Sequence, residues 1–493
     1  MNDGSPSEEG ASGQTSHREF GGYFVWVGGG RIASEALRLG STLLLTRLLT
    51  TEMFGLVLIV NRLIEGLTMV TDVGINVSIV QNKAGSDPKF LNTAWTVQML
   101  RGLLLWLVCW LGASSAAAFY DEPQLSVLIP VAGVSLMLAG LASPTLALVQ
   151  RQLKVRSWVL IDVGAQLAAA VAMIGTALVM PSVWALVVGA IAAAATKTVI
   201  SHALKTEHRP RLGWDQAAFT ALATFGAWII VNTFVGWLAD SAEALTLPRV
   251  VPIAVVGVYG VASQLGNIPY RFLVAVGANA VFPLFSRTRN AGEPLVPVYQ
   301  MVQKHLLSIG GAVIAGLLAT GGPAIELLLD PRWAAAGAML WPIAVSQWFR
   351  IMAIPSANAV FAFGHANWLV IGNAMKVLGY LIFVPIGIYF GNLSDSIVIG
   401  ALWGFACGES LSVISYRIAL WRFDLDVGWE ELGACVRLGV SIFALAAMRL
   451  LIADAALHPG LVALLGLAVI TPIWIRPVLR TVTEIVGRRR AAA

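Results

Sequence analysis

Nine ionisable side chains sit in stretches otherwise built from Leu, Val, Ile, Ala and Gly: Arg31, Glu35, Arg38, Arg62, Glu65, Asp72, Arg271, Arg350 and Lys376. An ionised group at the centre of a bilayer helix costs about 2.5–3.5 kcal/mol on insertion scales, so its default role is to line a polar cavity. Arg31, Glu35 and Arg38 stand at i, i+4 and i+7, which is one face of a helix. Arg62, Glu65 and Asp72 fall on one side of the next. Arginines so placed favour an anionic cargo, and a carboxylate whose pKa rises in such a cavity can exchange protons. Glu35, Glu65 and Asp72 are the candidates for that exchange. A plainer reading stands beside it. Glu35–Arg38 and Arg62–Glu65 are i, i+3 pairs that neutralise each other along a helix, and Arg31 and Arg38 can snorkel to an interface. Further charges in apolar segments are Arg101, Asp162, Glu409, Arg437 and Arg449, and Asp162 is expected to pair with Lys197.

No catalytic or metal-ligating set is expected. Cys109, Cys407 and Cys435 lie in apolar segments without pairing or metal spacing, which suits packing. No sodium site is evident, because Asp240 falls near the end of its segment.

The elements that must position these residues are membrane helices. Of 493 residues, 57% are hydrophobic and only 12% charged, with a mean hydropathy of +0.77. A soluble protein carries about 25% charged residues. The chain therefore reads as an all-α polytopic membrane protein, and its net charge of +5 implies no nucleic acid. A span needs roughly 20 apolar residues. Fourteen segments qualify: 22–48, 53–80, 91–118, 126–148, 158–180, 183–203, 217–239, 250–276, 304–328, 335–362, 366–390, 396–420, 432–453 and 460–478. The even-numbered connections hold the basic clusters, among them Arg151-Lys154-Arg156 and Arg287-Arg289-Lys304. The odd ones hold only Arg47, Arg249 and Arg332 beside several carboxylates. Positive charge inside then predicts both termini in the cytoplasm.

Two segments echo each other. Phe54-Gly55-Leu56 is followed by Arg62 and Val73-Gly74-Ile75-Asn76, and Tyr259-Gly260-Val261 by Arg271 and Val276-Gly277-Ala278-Asn279. They are six spans apart, which predicts two similar six-span halves, an architecture common in transporters. The expected division is a disordered cytoplasmic tail (1–19), six-helix bundles at 20–205 and 206–422, two additional helices (423–480) and a basic cytoplasmic tail (481–493).

Arg47-Leu48-Leu49-Thr50-Thr51-Glu52-Met53-Phe54-Gly55-Leu56, Thr71 through Gln81, Gly257-Val258-Tyr259-Gly260 and Val281-Phe282-Pro283-Leu284-Phe285-Ser286-Arg287 carry a family resemblance. Over roughly residues 20–420 the chain resembles polysaccharide-export flippases of the multidrug/oligosaccharidyl-lipid/polysaccharide superfamily. The resemblance implies a core of twelve helices in two bundles, with two extra C-terminal helices. It implies a non-enzymatic transporter, acting as a monomer in a bacterial inner membrane. The implied cargo is an undecaprenyl-diphosphate-linked oligosaccharide, and a polysaccharide polymerase or export complex is an implied partner. It implies no cofactor beyond coupling to a proton or sodium gradient. Arginine's planar fork suits a pyrophosphate, so Arg31, Arg38, Arg62 and Arg271 become candidate contacts, with Arg350 and Lys376 lining the second bundle's side. The competing readings are a lipid II or multidrug exporter and a membrane glycan polymerase or glycosyltransferase. Short outer loops count against an enzyme, and cavity arginines count against a cationic drug.

Overall fold

The computed structural model describes residues 9–492 apart from 71–74, 76–77, 80–82, 152–154, 205–209, 366, 424–429, 453–454 and 456. Among the described residues the chain is helical without strands. The helices are α1 (Glu9–Leu48), α2 (Thr51–Val70), α3 (Pro88–Tyr120), α4 (Leu125–Leu141), α5 (Thr145–Arg151), α6 (Val155–Val179), α7 (Trp184–Ala203) and α8 (Gln216–Thr246). They continue as α9 (Ile253–Gly266), α10 (Ile268–Val276), α11 (Phe282–Asn290), α12 (Leu295–Leu328), α13 (Ala335–Ala362), α14 (Asn367–Leu393), α15 (Ile397–Arg422), α16 (Glu430–Leu451) and α17 (Pro459–Ala492). Each of the fourteen expected segments falls mainly on helix over its described residues. Among the described residues, nine helical stretches are long and apolar enough to cross a bilayer, with α10 through α11 counted as one.

Three differences from expectation have local causes. Helix α1 begins at Glu9, so residues 9–19 are helical rather than a disordered tail. Extending an existing helix adds a hydrogen bond for each residue fixed, whereas starting one is costly. The fourth segment breaks into α4 and α5 around Pro144, because a proline disfavours helical backbone in the residue before it. The eighth does not stop at 276. Pro269 starts a new helix, α10, which passes through a π-helical turn at Gly277–Val281 into α11 with Pro283 in its first turn.

Local signals elsewhere act as their chemistry dictates. Asp87 caps α3 by accepting from the Lys89 backbone N–H at 2.9 Å, with Pro88 in the first turn. Asp121 ends α3 in the left-handed region at φ 56° and returns its N–H to the Ala117 carbonyl.

The chain forms two compact units, residues 1–49 with 63–231 and residues 50–62 with 232–493. The second takes in residues 423–480, the expected additional pair, and its boundary falls inside α8 rather than at 206. In the first unit α1 packs on α6 at Gly30, where any Cβ would stand 2.1 Å from Val159 Cγ1. The Asp162–Lys197 pair between α6 and α7 forms as expected, at 2.7 Å.

In the second unit the first half of α2 crosses α9 backbone to backbone. A Cβ on Gly55 would lie 2.2 Å from the Ile253 carbonyl oxygen, and one on Gly257 would lie 1.8 Å from that of Thr51. Small residues at such a crossing let membrane helices approach closely. The unit's largest core joins Tyr299 and Leu307 of α12, Trp348 and Ile351 of α13, Leu438 and Leu445 of α16, and Trp474 of α17. Trp474 donates to Ser441 Oγ at 3.0 Å and carries the Arg437 guanidinium over its ring, 5.6 Å from the centroid. Arg449 lies over Trp341 at 5.0 Å. These two arginines of α16 therefore serve packing within this unit.

Candidate functional site: two charged intramembrane pockets

Among the described residues, each unit holds a polar pocket between its helices. In the first, α1 and α6 enclose about 240 Å³ lined by Arg31, Ser34, Glu35, Arg38, Asp162 and Gln166, among others. The helical repeat brings Arg31, Glu35 and Arg38 to the same wall, as their spacing requires. Arg38 donates to the Glu35 carboxylate, so the i, i+3 pair foreseen in the sequence does form. Asp162 is held by Lys197. Arg31 differs: it is exposed into the pocket, and among the described residues it has no ion-pair partner. The pocket thus presents one uncompensated guanidinium beside two neutralised pairs.

In the second unit, α8, α10, α13, α14 and α15 enclose about 260 Å³. Arg350 of α13 donates from Nε to Glu409 Oε1 at 2.6 Å and reaches Glu243 at 3.6 Å and Asp240 at 3.8 Å. Lys376 of α14 donates to Asp240 Oδ1 at 2.7 Å and lies 3.7 Å from Glu409. Two tyrosines complete the network: Tyr259 donates to Glu243 at 2.5 Å and Tyr380 to Glu409 at 2.6 Å. The Glu409 and Lys376 side chains are 1% and 6% exposed, and Asp240 is 54% exposed toward the pocket. Every buried charge is paired, which is what burial demands. Tyr270, Tyr416, Asn358 and Asn373 add to the polar lining.

The remaining candidates are placed as follows. Arg271 of α10 donates to the Gln264 carbonyl at 3.0 Å, across the break between α9 and α10. Arg62 and Glu65 are half-buried on α2, and neither is without a partner. Asp72 lies outside the described residues. Arg350 and Lys376 line one pocket, with carboxylates already on them.

Sequence reasoning missed Asp240, Glu243, Tyr259 and Tyr380 as members of the site. Asp240 was set aside because it lies near a span end. The usable signal was the demand side: two intramembrane cations on neighbouring spans require counter-charges, and Glu409 and Asp240 are intramembrane or near it.

Residues 44–338 match the family model described as polysaccharide biosynthesis protein. The chain is 22% identical over 383 residues to the lipopolysaccharide biosynthesis protein WzxC of Escherichia coli (strain K12), covering 76% of each chain. It is 20% identical over 374 residues to the succinoglycan biosynthesis transport protein ExoT of Rhizobium meliloti (strain 1021), covering 68% of this chain and 74% of that one. Its fold is similar to that of the lipid II flippase MurJ in an inward closed conformation, with a TM-score of 0.69 at 12% identity, over 91% of this chain and 98% of that one.

Proposed function

This chain belongs to the polysaccharide biosynthesis protein family, and from that premise we propose that it flips an undecaprenyl-diphosphate-linked oligosaccharide from the cytoplasmic to the outer leaflet of a bacterial inner membrane. The observation that carries the reading is the α1–α6 pocket, where Arg31 is left without an ion-pair partner among the described residues. A pyrophosphate cannot cross hydrocarbon unpaired. A guanidinium offers it two parallel hydrogen bonds, and Ser34 and Gln166 beside it offer groups for sugar hydroxyls. The relatives' names, which speak of polysaccharide biosynthesis and of transport, support the same cargo class.

The cargo is moved by alternating access without bond chemistry, so no residue is given a catalytic role. The basic connections support a reading with both termini in the cytoplasm. Arg38, Arg62 and Arg271 are secondary contacts, reached by rearrangement of their present partners. Glu35, Glu65 and Asp72 stand as carboxylates open to coupling. Membrane lipids hold the polyprenyl tail, the chain works as a monomer, and a polymerase receives the flipped product.

The test is transport of a fluorescently tagged undecaprenyl-diphosphate-linked glycan in liposomes containing the purified chain. Transport of the glycan-linked lipid, with lipid II left behind, is the expected result. Movement of lipid II alone, or of neither, overturns the proposal.

A further inference from the structure

The last helix carries two cations that the protein itself does not answer. Of the nine spanning stretches among the described residues, Pro459–Glu484 of α17 is the least covered by the rest of the chain. At 3.6 residues per turn, Leu465, Ala468, Pro472, Arg476 and Arg480 fall within about a third of the helix circumference, and all five are exposed. Trp474 points the other way, onto Gly311 of α12. Arg480 stands four residues before Glu484, the offset at which opposite charges pair along a helix. Glu484 turns to α12 instead, where it meets Lys304 at 2.7 Å and His305 at 3.1 Å. Neither the Arg476 nor the Arg480 guanidinium has an ion-pair partner among the described residues. Other cations of the unit are answered: Arg417 holds Glu431 at 2.7 Å, and Arg437 lies over the Trp474 ring.

We propose that this face of α17 is a binding site for an acidic phospholipid, whose phosphate bridges Arg476 and Arg480 while an acyl chain lies along Leu465, Ala468 and Pro472. The proposal needs α17 to span the membrane and nothing of the cargo or of the direction of transport.

Length and charge both fit that occupant. Leu465 and Arg476 are eleven residues apart (476 − 465), or about 16 Å along the helix. That is close to half of the roughly 30 Å hydrocarbon layer, the depth of one leaflet. A guanidinium one leaflet away from the bilayer centre emerges among headgroups, with its stem lying on apolar surface. The anion held at that depth is a lipid phosphate, and a planar guanidinium donates two parallel hydrogen bonds to it. Two guanidinia one turn apart, with the nearest carboxylate tied to α12, leave the site positive. Beyond Glu484 the sequence runs into Arg488-Arg489-Arg490, which adds to the attraction for an acidic leaflet.

Native mass spectrometry of the full chain, released from micelles holding equal amounts of phosphatidylglycerol and phosphatidylcholine, tests the site without any cargo. Wild type is expected to retain phosphatidylglycerol in preference. Arg476→Gln with Arg480→Gln is expected to weaken that retention about 25-fold, from about fivefold for each arginine beside an acidic headgroup. Arg476→Lys with Arg480→Lys is expected to keep part of the preference, because the charge stays and the fork is lost. Arg422→Gln, which removes an exposed arginine at the end of α15, is the control expected to change nothing. In phosphatidylcholine alone the glutamine double variant is expected to melt with wild type, since both side chains are exposed. It is expected to lose the rise in melting temperature that phosphatidylglycerol gives wild type. Soluble glycerol phosphate is expected to leave the bound lipid in place. Equal retention of the two lipids by wild type, an unchanged preference in the glutamine double variant, or an equal loss in Arg422→Gln overturns the proposal. Displacement by glycerol phosphate overturns it too, in favour of a free-phosphate site.

Discussion

Arg350 of α13 and Glu409 of α15 share a 2.6 Å ion pair with side chains only 10% and 1% exposed. This contact ties two helices of the second unit through charge rather than packing alone. The same carboxylate accepts from Tyr380, so three helices meet at one side chain. Removing one member of a sealed pair leaves the other charge buried and unanswered.

Glu409→Gln is accordingly expected to destabilise the protein by about 3–5 kcal/mol. Thermal unfolding in detergent reads this directly. Arg350→Met combined with Glu409→Leu is expected to recover part of the loss, since neither partner is then stranded. Equal stability of Glu409→Gln and wild type would refute the sealed-pair account.

Arg31→Ala is expected to abolish surface glycan while the protein still inserts at normal levels, because Arg31 faces the first pocket without an ion-pair partner among the described residues. Arg31→Lys is expected to keep part of the export, losing the bidentate geometry but not the charge. Surface-glycan staining alongside membrane immunoblots separates transport from folding.

Gly257→Val is expected to fail at the helix crossing. Even the first added carbon would lie 1.8 Å from the Thr51 carbonyl oxygen, and that backbone has no room to yield. Overpacking costs about 1–3 kcal/mol where neighbours can shift, so a larger loss is expected here. The readout is a fall in membrane-inserted protein, mirrored by Gly55→Val on the opposite helix. Valine at Gly164, whose built Cβ meets nothing within 4 Å, is the control expected to be tolerated.

Trp474→Ala is expected to cost about 3–5 kcal/mol, the usual loss for a large aromatic removed from a core. Its ring fills the space over Gly311, meets Trp348 and carries Arg437. Differential scanning measurements on the purified protein check it. A melting point unchanged from wild type would show that α17 packs independently of α12 and α13.

How far the sequence reaches is clear from particular residues. Apolar runs of spanning length located all fourteen helical segments, because a bilayer demands that every backbone polar group be satisfied within its own helix. Helical spacing placed Arg31, Glu35 and Arg38 on one wall, and the i, i+3 offset foresaw the Glu35–Arg38 pair. Opposite charges on adjacent spans were enough to foresee Asp162–Lys197.

The sequence could not divide the cations into available and occupied. Arg31 and Arg350 look alike in it, each one arginine in an apolar helix. Asp240, Arg350 and Glu409 are separated by 110 and 59 positions along the chain (350 − 240 and 409 − 350). No local periodicity relates residues so far apart. Only the packing of α8, α13, α14 and α15 decided which charges cancel, because ion pairing depends on distance in space and burial raises the penalty for any charge left alone.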